Sequence, residues 1–301
     1  MAPNQTLEKK AQSKTLEITL RRQRMKTFFE KTGAYLLLVV GAVTMVGPFL
    51  WMVATSLKQP GAVFSFQKDW WQEWIPTSFV WQNYTKAWRV VPFARFYLNS
   101  IFVTLCVTFG QVATSAMAAY AFARLHFPGR DKIFFGYLAT MMVPGAVTMI
   151  PVFILLRQLG WVDTYKALIV PAIFTAYGTF MLRQFFLTLP KDLEDAAKID
   201  GCSYVGIFWR IILPLSQPAL ATLTTFTFMG TWMNFMWPLI VINTEDKFTL
   251  PVGLAYFQSL HHTDWTLLMA ASVMMILPIL VVFMFNQRFF VEGIKLTGIK
   301  G

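Results

Sequence analysis

Charge is scarce in this chain. Asp, Glu, Lys and Arg make up 14% of its 301 residues, against roughly 25% in soluble domains. The shortage is organised as well as deep: the runs 32–57, 96–123, 133–156, 167–182, 211–244 and 265–287 contain none of the four. Such a pattern excludes an ordinary soluble domain. A net charge of +11 would suggest nucleic acid in a soluble protein, but here the basic residues sit between apolar runs, where they signal topology. Cysteine is almost absent. Cys106 lies in an apolar run and Cys202 in a polar loop, with no CxxC, so neither a metal site nor a disulfide framework is expected. The histidines are His126, His261 and His262; none has HExxH spacing, and the adjacent pair reads as a loop pair. No Ser/His/Asp cluster and no paired carboxylate in a span points to a membrane enzyme. There is no GxxxxGK[ST]. The nearest stretch, Gly293 to Lys300, lacks Lys directly after Gly298 and follows a span instead of a strand. No Asp, Glu, Lys or Arg lies mid-run, which argues against a proton- or ion-coupled pump.

What remains is apolar and aromatic: 56% hydrophobic residues, with 29 Phe and 11 Trp. A membrane-crossing helix needs about 20 mostly apolar residues. Five runs meet this. The fourth has 16 residues and spans if Lys166 and Arg183 snorkel to the interfaces. The fifth has 34, so its first residues are assigned to the preceding loop. The expected fold is therefore an all-α integral membrane protein of six transmembrane helices. The first run exceeds a signal peptide's 7–15 apolar residues and is expected to stay as the first helix. With the N-terminus inside, 18 of the 26 Lys and Arg fall on the inner side, and basic residues mark the cytoplasmic face. The expected layout is a basic cytoplasmic segment 1–31, a six-span domain 32–288, and a cytoplasmic tail 289–301. External loops are expected at 58–95, 157–166 and 243–264. Pro48, Pro144, Pro151, Pro171, Pro238 and Pro278 lie within the spans, where each tends to kink its helix.

The loop 189–214 is the most informative inner segment. It reads as two helices around a turn. Pro190 suits a first helical position, and Asp192, Glu194 and Asp195 favour a helix N-terminus. Gly201 supplies a left-handed terminator and Ser203 a cap for the next helix. That helix carries Val205, Phe208, Trp209 and Ile212 on one apolar face, and Pro214 interrupts it. Small residues at Ala196, Ala197 and Gly201 permit close approach by another surface, so the hairpin reads as a docking knob for a soluble partner.

The spacing Asp195-Ala196-Ala197, three residues including Asp200, Gly201, nine residues, Ile211-x-Leu213-Pro214 resembles the EAA loop of permease subunits of binding-protein-dependent ABC importers. The leading acid here is Asp195, one methylene shorter than Glu; Glu194 lies one residue early, out of register. Thr249–Leu254, Trp232–Leu239 and the ending Phe290–Gly301 are similar to the maltose-type second permease subunit of such importers. The resemblance implies a type I ABC importer permease fold with a coupling helix in the cytoplasmic loop. It implies a heterodimer with a second permease subunit in the inner membrane, both termini cytoplasmic. Two ABC ATPase subunits that bind ATP and Mg would press on Asp195–Pro214, and an extracytoplasmic sugar-binding protein would contact 243–264. No cofactor, metal or nucleic acid belongs to this chain itself. Sugars favour aromatic faces and amides, so Tyr177, Trp232 and Asn234 are the candidate pathway residues. The competing reading is a stand-alone secondary transporter or channel for a small polar solute.

Overall fold

The computed structural model describes residues 4–63, 69–258 and 263–297. The histidine pair His261–His262 and the tail residues Gly298–Gly301 lie outside the described residues.

The first helix, α1 (Asn4–Ser56), is continuous through Pro48. After it come α2 (Gln82–Val90), α3 (Phe93–Arg124), α4 (Arg130–Ala139), α5 (Gly145–Gln158), α6 (Tyr165–Ile169) and α7 (Ala176–Thr188). The 189–214 loop forms α8 (Asp192–Ile199) and α9 (Tyr204–Leu215). The chain then continues through α10 (Gln217–Trp232), α11 (Met236–Val241), α12 (Leu250–Leu254) and α13 (Trp265–Thr297). No strand occurs among the described residues.

Four stretches are long and apolar enough to cross a membrane unbroken: Met25–Ser56, Phe93–Arg124, Tyr165–Thr188 and Trp265–Phe289. Two further pairs are bent. The third run turns by 99° between Met142 and Gly145, at Pro144, and α9 meets α10 at 79°. Counting each bent pair as one crossing gives the six expected. The long fifth run breaks at Ser216, its opening residues lying in α9 and the rest beginning α10 at Gln217.

The helix of the fourth span runs on past Arg183 to Thr188, and protein groups hold the Arg183 charge, with Asp131 3.8 Å away. The Arg183 guanidinium lies 4.2 Å from the centre of the Phe134 ring and donates to the Phe122 carbonyl at 3.2 Å. A protein cation–π site and a helix-end carbonyl replace water for this charge.

The central element is α3, packed against both α7 and α10. Its buried positions recur every three or four residues in two stretches, Phe96, Asn99, Val103, Val107 and then Ala116, Ala119, Ala123. The last three are alanines, which let neighbouring backbones come close in a membrane setting, where packing is the main attraction between helices. Gly178 on α7 meets α3 at the same level; a Cβ there would lie 2.5 Å from Ser115 Oγ. Two apolar clusters result. One surrounds Phe93, Phe96, Trp232, Leu250 and Ala270 at the start of α3. The other surrounds Ala119, Leu182, Phe186, Ile207 and Ile212 at its end. The remaining wall of α1, Leu36 to Val46, is largely exposed, as lipid or a neighbouring membrane helix requires.

Candidate functional site

The turn between α8 and α9 follows directly from its residues. Gly201 takes φ +80°. Its N–H donates to the Lys198 carbonyl at 3.0 Å, and the Cys202 N–H reaches Ala197 at 2.9 Å. These are the two bonds of a Schellman motif, which satisfies the carbonyls a helix end leaves open. Ser203 then caps α9, its Oγ accepting from the Gly206 N–H at 3.2 Å. Pro190 falls two residues short of α8 and does not occupy its first position. No heavy atom lies within 4 Å of a Cβ built on Gly201, so any penalty there is backbone strain alone. Gly201→Val is expected to cost about 1–2 kcal/mol and to misplace the tip, whereas Gly201→Asn tolerates the left-handed region. Capture of the partner ATPase by each variant, at equal expression, measures the difference.

The apolar face of α9 differs from the one its spacing suggests. Residues Phe208–Ile212 form a π-helical turn, which adds a residue to the turn and shifts the register. Ile207, Phe208 and Ile212 are buried; Val205 and Trp209, expected beside them, face outward. Leu193, Tyr204 and Ile199, which is 87% exposed, are likewise outward, so this short hairpin carries five exposed large apolar side chains. Exposed apolar residues grouped in this way suit an interaction site. Asp192, Asp195, Ala196 and Asp200 lie on the same outer side, while Ala197 turns inward. Asp195 holds Lys198 at 3.0 Å, and that hydrogen bond raises the lysine above its ordinary pKa. Ile211 and Leu213 are half-buried and Pro214 is exposed, at the join of the π turn with the bend into α10.

Glu194, out of register with the EAA pattern, is the buried acid. Its carboxylate Oε1 is 2.8 Å from Arg124 Nε, and the two side chains are only 7% and 3% exposed. The Nη2 of Arg124 donates to the carbonyls of Phe186 at 2.6 Å and Leu189 at 2.7 Å. One guanidinium thus joins the end of α3, the end of α7 and the first turn of α8. Sequence reading treats Arg124 as a topology charge and Glu194 as surplus. The available signal was that Glu194 and Ala197, three apart, share one face of α8.

The opposite end of the bundle is tied by another set of contacts. Asn99 Nδ2 donates to the carbonyls of Asp246 at 2.8 Å and Phe248 at 2.9 Å, and Ser100 Oγ accepts the Leu250 N–H at 2.7 Å. Gly253 brings α12 against the Phe96 ring. Asp163, the only non-glycine with positive φ among the described residues (φ 60°), staples the 157–166 loop to 243–249. Its carboxylate accepts from Asn243 N–H, Thr244 N–H, Thr244 Oγ1 and Lys247 Nζ at 2.6–3.0 Å. Burial pushes this carboxyl up, but the hydrogen bonds from Lys247 and Thr244 outweigh it and hold it well below the usual 3.8. A lowered folded-state pKa gives stability that is present above the unfolded value and lost as pH falls through the folded one. Asp163→Asn is therefore expected to lower the melting temperature at pH 7, the gap to wild type closing only below the normal carboxylate range. Thermal melts of both proteins from pH 7 to pH 3 would check this.

The proposed pathway residues are not brought together. Trp232 is 1% exposed, stacks on Phe228, and donates its indole N–H to the Met275 carbonyl at 2.9 Å, so it is a packing residue within this subunit. Asn234 is exposed and its Oδ1 accepts the Trp237 N–H at 3.4 Å, capping α11. Tyr177 borders a recess of about 260 Å³ with Gln111, Phe226, Thr227 and Thr231.

Residues 110–295 match the family described as the binding-protein-dependent transport system inner membrane component. The chain belongs to that family. Among its relatives, the inner membrane component is 41% identical to the arabinooligosaccharides transport system permease protein AraQ of Halalkalibacterium halodurans, over 67% of this chain and 73% of that one. It is 33% identical to the probable ABC transporter permease protein YurM of Bacillus subtilis, over 93% and 92%. It is 32% identical to the sn-glycerol-3-phosphate transport system permease protein UgpE of Yersinia pestis, over 86% and 94%. A chain of a bacterial ABC transporter involved in import of the acidic polysaccharide alginate superposes with a TM-score of 0.78 at 24% identity, over 89% of this chain and 98% of that one, which shows the shared fold. As an inner membrane component, the chain is a multi-pass transport permease. Its 189–214 hairpin and the Asn99 and Asp163 clamps stand at opposite ends of the bundle.

Proposed function

We propose that the chain is one of two permease subunits of an ATP-driven importer that takes up a carbohydrate or polyol handed over by an extracytoplasmic binding protein. The observation that carries this reading is the outward-facing set of Leu193, Ile199, Tyr204, Val205 and Trp209 on a tip bolted into the bundle by Arg124. A lone channel has no use for such a knob. ATP and Mg belong to a separate pair of ATPase subunits, which press on Asp195–Pro214. The hairpin and both termini face the cytoplasm, in line with the excess of Lys and Arg on that side. The loops 58–95, 157–166 and 243–264 face outward, and 243–264 meets the binding protein. Naming of a relative for arabino-oligosaccharides supports a carbohydrate cargo. Within this subunit the recess beside Tyr177 and Gln111, an aromatic face next to an amide, is the best-suited lining for a polyhydroxylated solute. Trp232 and Asn234 serve the pathway through helix packing and capping.

The test is co-purification followed by transport. The chain, expressed with its neighbouring permease and ATPase genes, is expected to bring down the ATPase and to move cargo into vesicles only when ATP is present. Cargo uptake by the chain alone, or uptake that survives ATP depletion, would favour the stand-alone transporter instead.

A further inference from the structure

The helix α3 is gripped at both ends by polar contacts, and between them Thr114 Oγ1 donates to the Ile173 carbonyl. At its last residue, Arg124 holds Glu194 of the docking hairpin and two carbonyls at the end of α7. At its first turns, Arg95 and Asn99 both donate to the Asp246 carbonyl, Asn99 also donates to Phe248, and Ser100 accepts from Leu250. A helix of 32 residues is about 48 Å long, so these grips lie at opposite faces of a membrane. Between them α3 is the packing centre of the bundle and contains no proline.

The chemistry of the Arg124 grip argues that it is more than a stabiliser. A buried ion pair seldom improves on well-packed apolar side chains, because both charges lose their water. Such pairs are best explained where they fix a register. The guanidinium also faces carbonyls at the C-terminal end of α7, where the helix leaves acceptors open and its dipole is negative. Arg124 therefore has a firm seat on α7 and a separate contact to α8. Glu194 is the only charge that α8 turns inward, and it lies on the face opposite the exposed apolar side chains.

We infer that α3 is a rigid rod that carries displacement of the 189–214 hairpin to the 243–254 segment at the other end, with Arg124–Glu194 as its handle and Asn99 and Ser100 as its far clamp. This rests on the permease reading above. Arg124, Glu194, Asn99 and Ser100 are positioning residues; none is assigned to touch ATP, cargo or the docking partner. A push on α8 moves Glu194, the ion pair moves the end of α3, and the same helix shifts the backbone of Asp246–Leu250.

The experiment uses the complete importer, with partner permease, ATPases and binding protein, in vesicles. It reads cargo moved per ATP hydrolysed for Glu194→Gln at the handle, Asn99→Leu at the clamp, and the double variant Arg124→Met with Glu194→Leu, which replaces the pair by apolar side chains. The expected result is assembly and basal ATP hydrolysis near wild type in all three, with cargo per ATP lower by about fivefold or more. That a change at either end gives the same uncoupling is what a merely structural role would not produce. A double variant that transports at the wild-type ratio would overturn the inference, and so would uncoupling at one end only. Loss of assembly in all three would assign these contacts to folding and overturn it as well. If the wild-type complex itself moves no cargo on ATP, the permease reading fails, and that outcome is distinct from variants that keep a normal ratio in a working importer.

Discussion

Gly253→Val is expected to destabilise the protein by about 3 kcal/mol, the upper end for forcing extra atoms into a packed core. The backbone of α12 rests on the Phe96 ring so closely that a Cβ at Gly253 would overlap three of its carbons. Phe96 cannot yield easily, being fully buried and packed against Phe248 at 6.1 Å between ring centres. Either α12 lifts from α3 or the Phe96 side chain leaves its rotamer. In the first case the Leu250 N–H loses Ser100 and the 243–254 segment loses its seat. Gly253→Ala adds the same Cβ and is expected to be nearly as harmful. Phe96→Ala in the Gly253→Val background is expected to recover part of the loss, because residues in contact are energetically coupled. Thermal unfolding in detergent of the two single variants and the double variant measures that coupling. Equal stability of Gly253→Val and wild type would refute the close approach.

Arg124→Ala is expected to cost about 3–5 kcal/mol, the usual penalty for leaving one charge of a buried pair without its partner. Glu194 is 5% exposed and has no other basic group within salt-bridge reach among the described residues. The carbonyls of Phe186 and Leu189 lose their donor in the same step. Arg124→Met with Glu194→Leu removes both charges and is expected to be far more stable than the single variant. Folded yield and melting temperature, compared across wild type, single and double variants, check the order. A single variant as stable as the double would mean that water reaches Glu194.

The spans were legible because a membrane imposes one requirement on every residue of a run. Absence of charge over 16 or more residues is visible without knowing what packs against what. The hairpin was legible for a related reason. Gly201 and Ser203 do local work within a few residues of themselves, so their roles can be read from neighbours in the chain. The Arg124–Glu194 pair was hidden because its members are 70 positions apart, and Arg124 sits at the end of a charge-free run, where a topology charge is expected. Asp163 was hidden because acids in loops are common, and its left-handed backbone and four donors come from a segment some 80 residues later. The burial of Trp232 was hidden because an aromatic in a span has the same sequence signature whichever way it faces. Which face of α9 would be buried depended on Phe208–Ile212 winding as a π turn, a choice that apolar spacing alone does not encode.

That π turn also constrains how the chain can vary in length. A π turn takes up one residue more than an α-helical turn. One residue fewer between Phe208 and Ile212 would therefore let the segment relax into a plain α-helix with its flanks close to their present phase. One residue fewer in the α-helical stretch before it has no such outlet, and rotates everything upstream by about 100°. In that case Tyr204 and Val205 would turn away from the outer side. A one-residue deletion at Val205 or Gly206 is thus expected to be worse for the tip than one within Phe208–Ile212. The hairpin is a phased element, and the π turn is where its length can change at least cost.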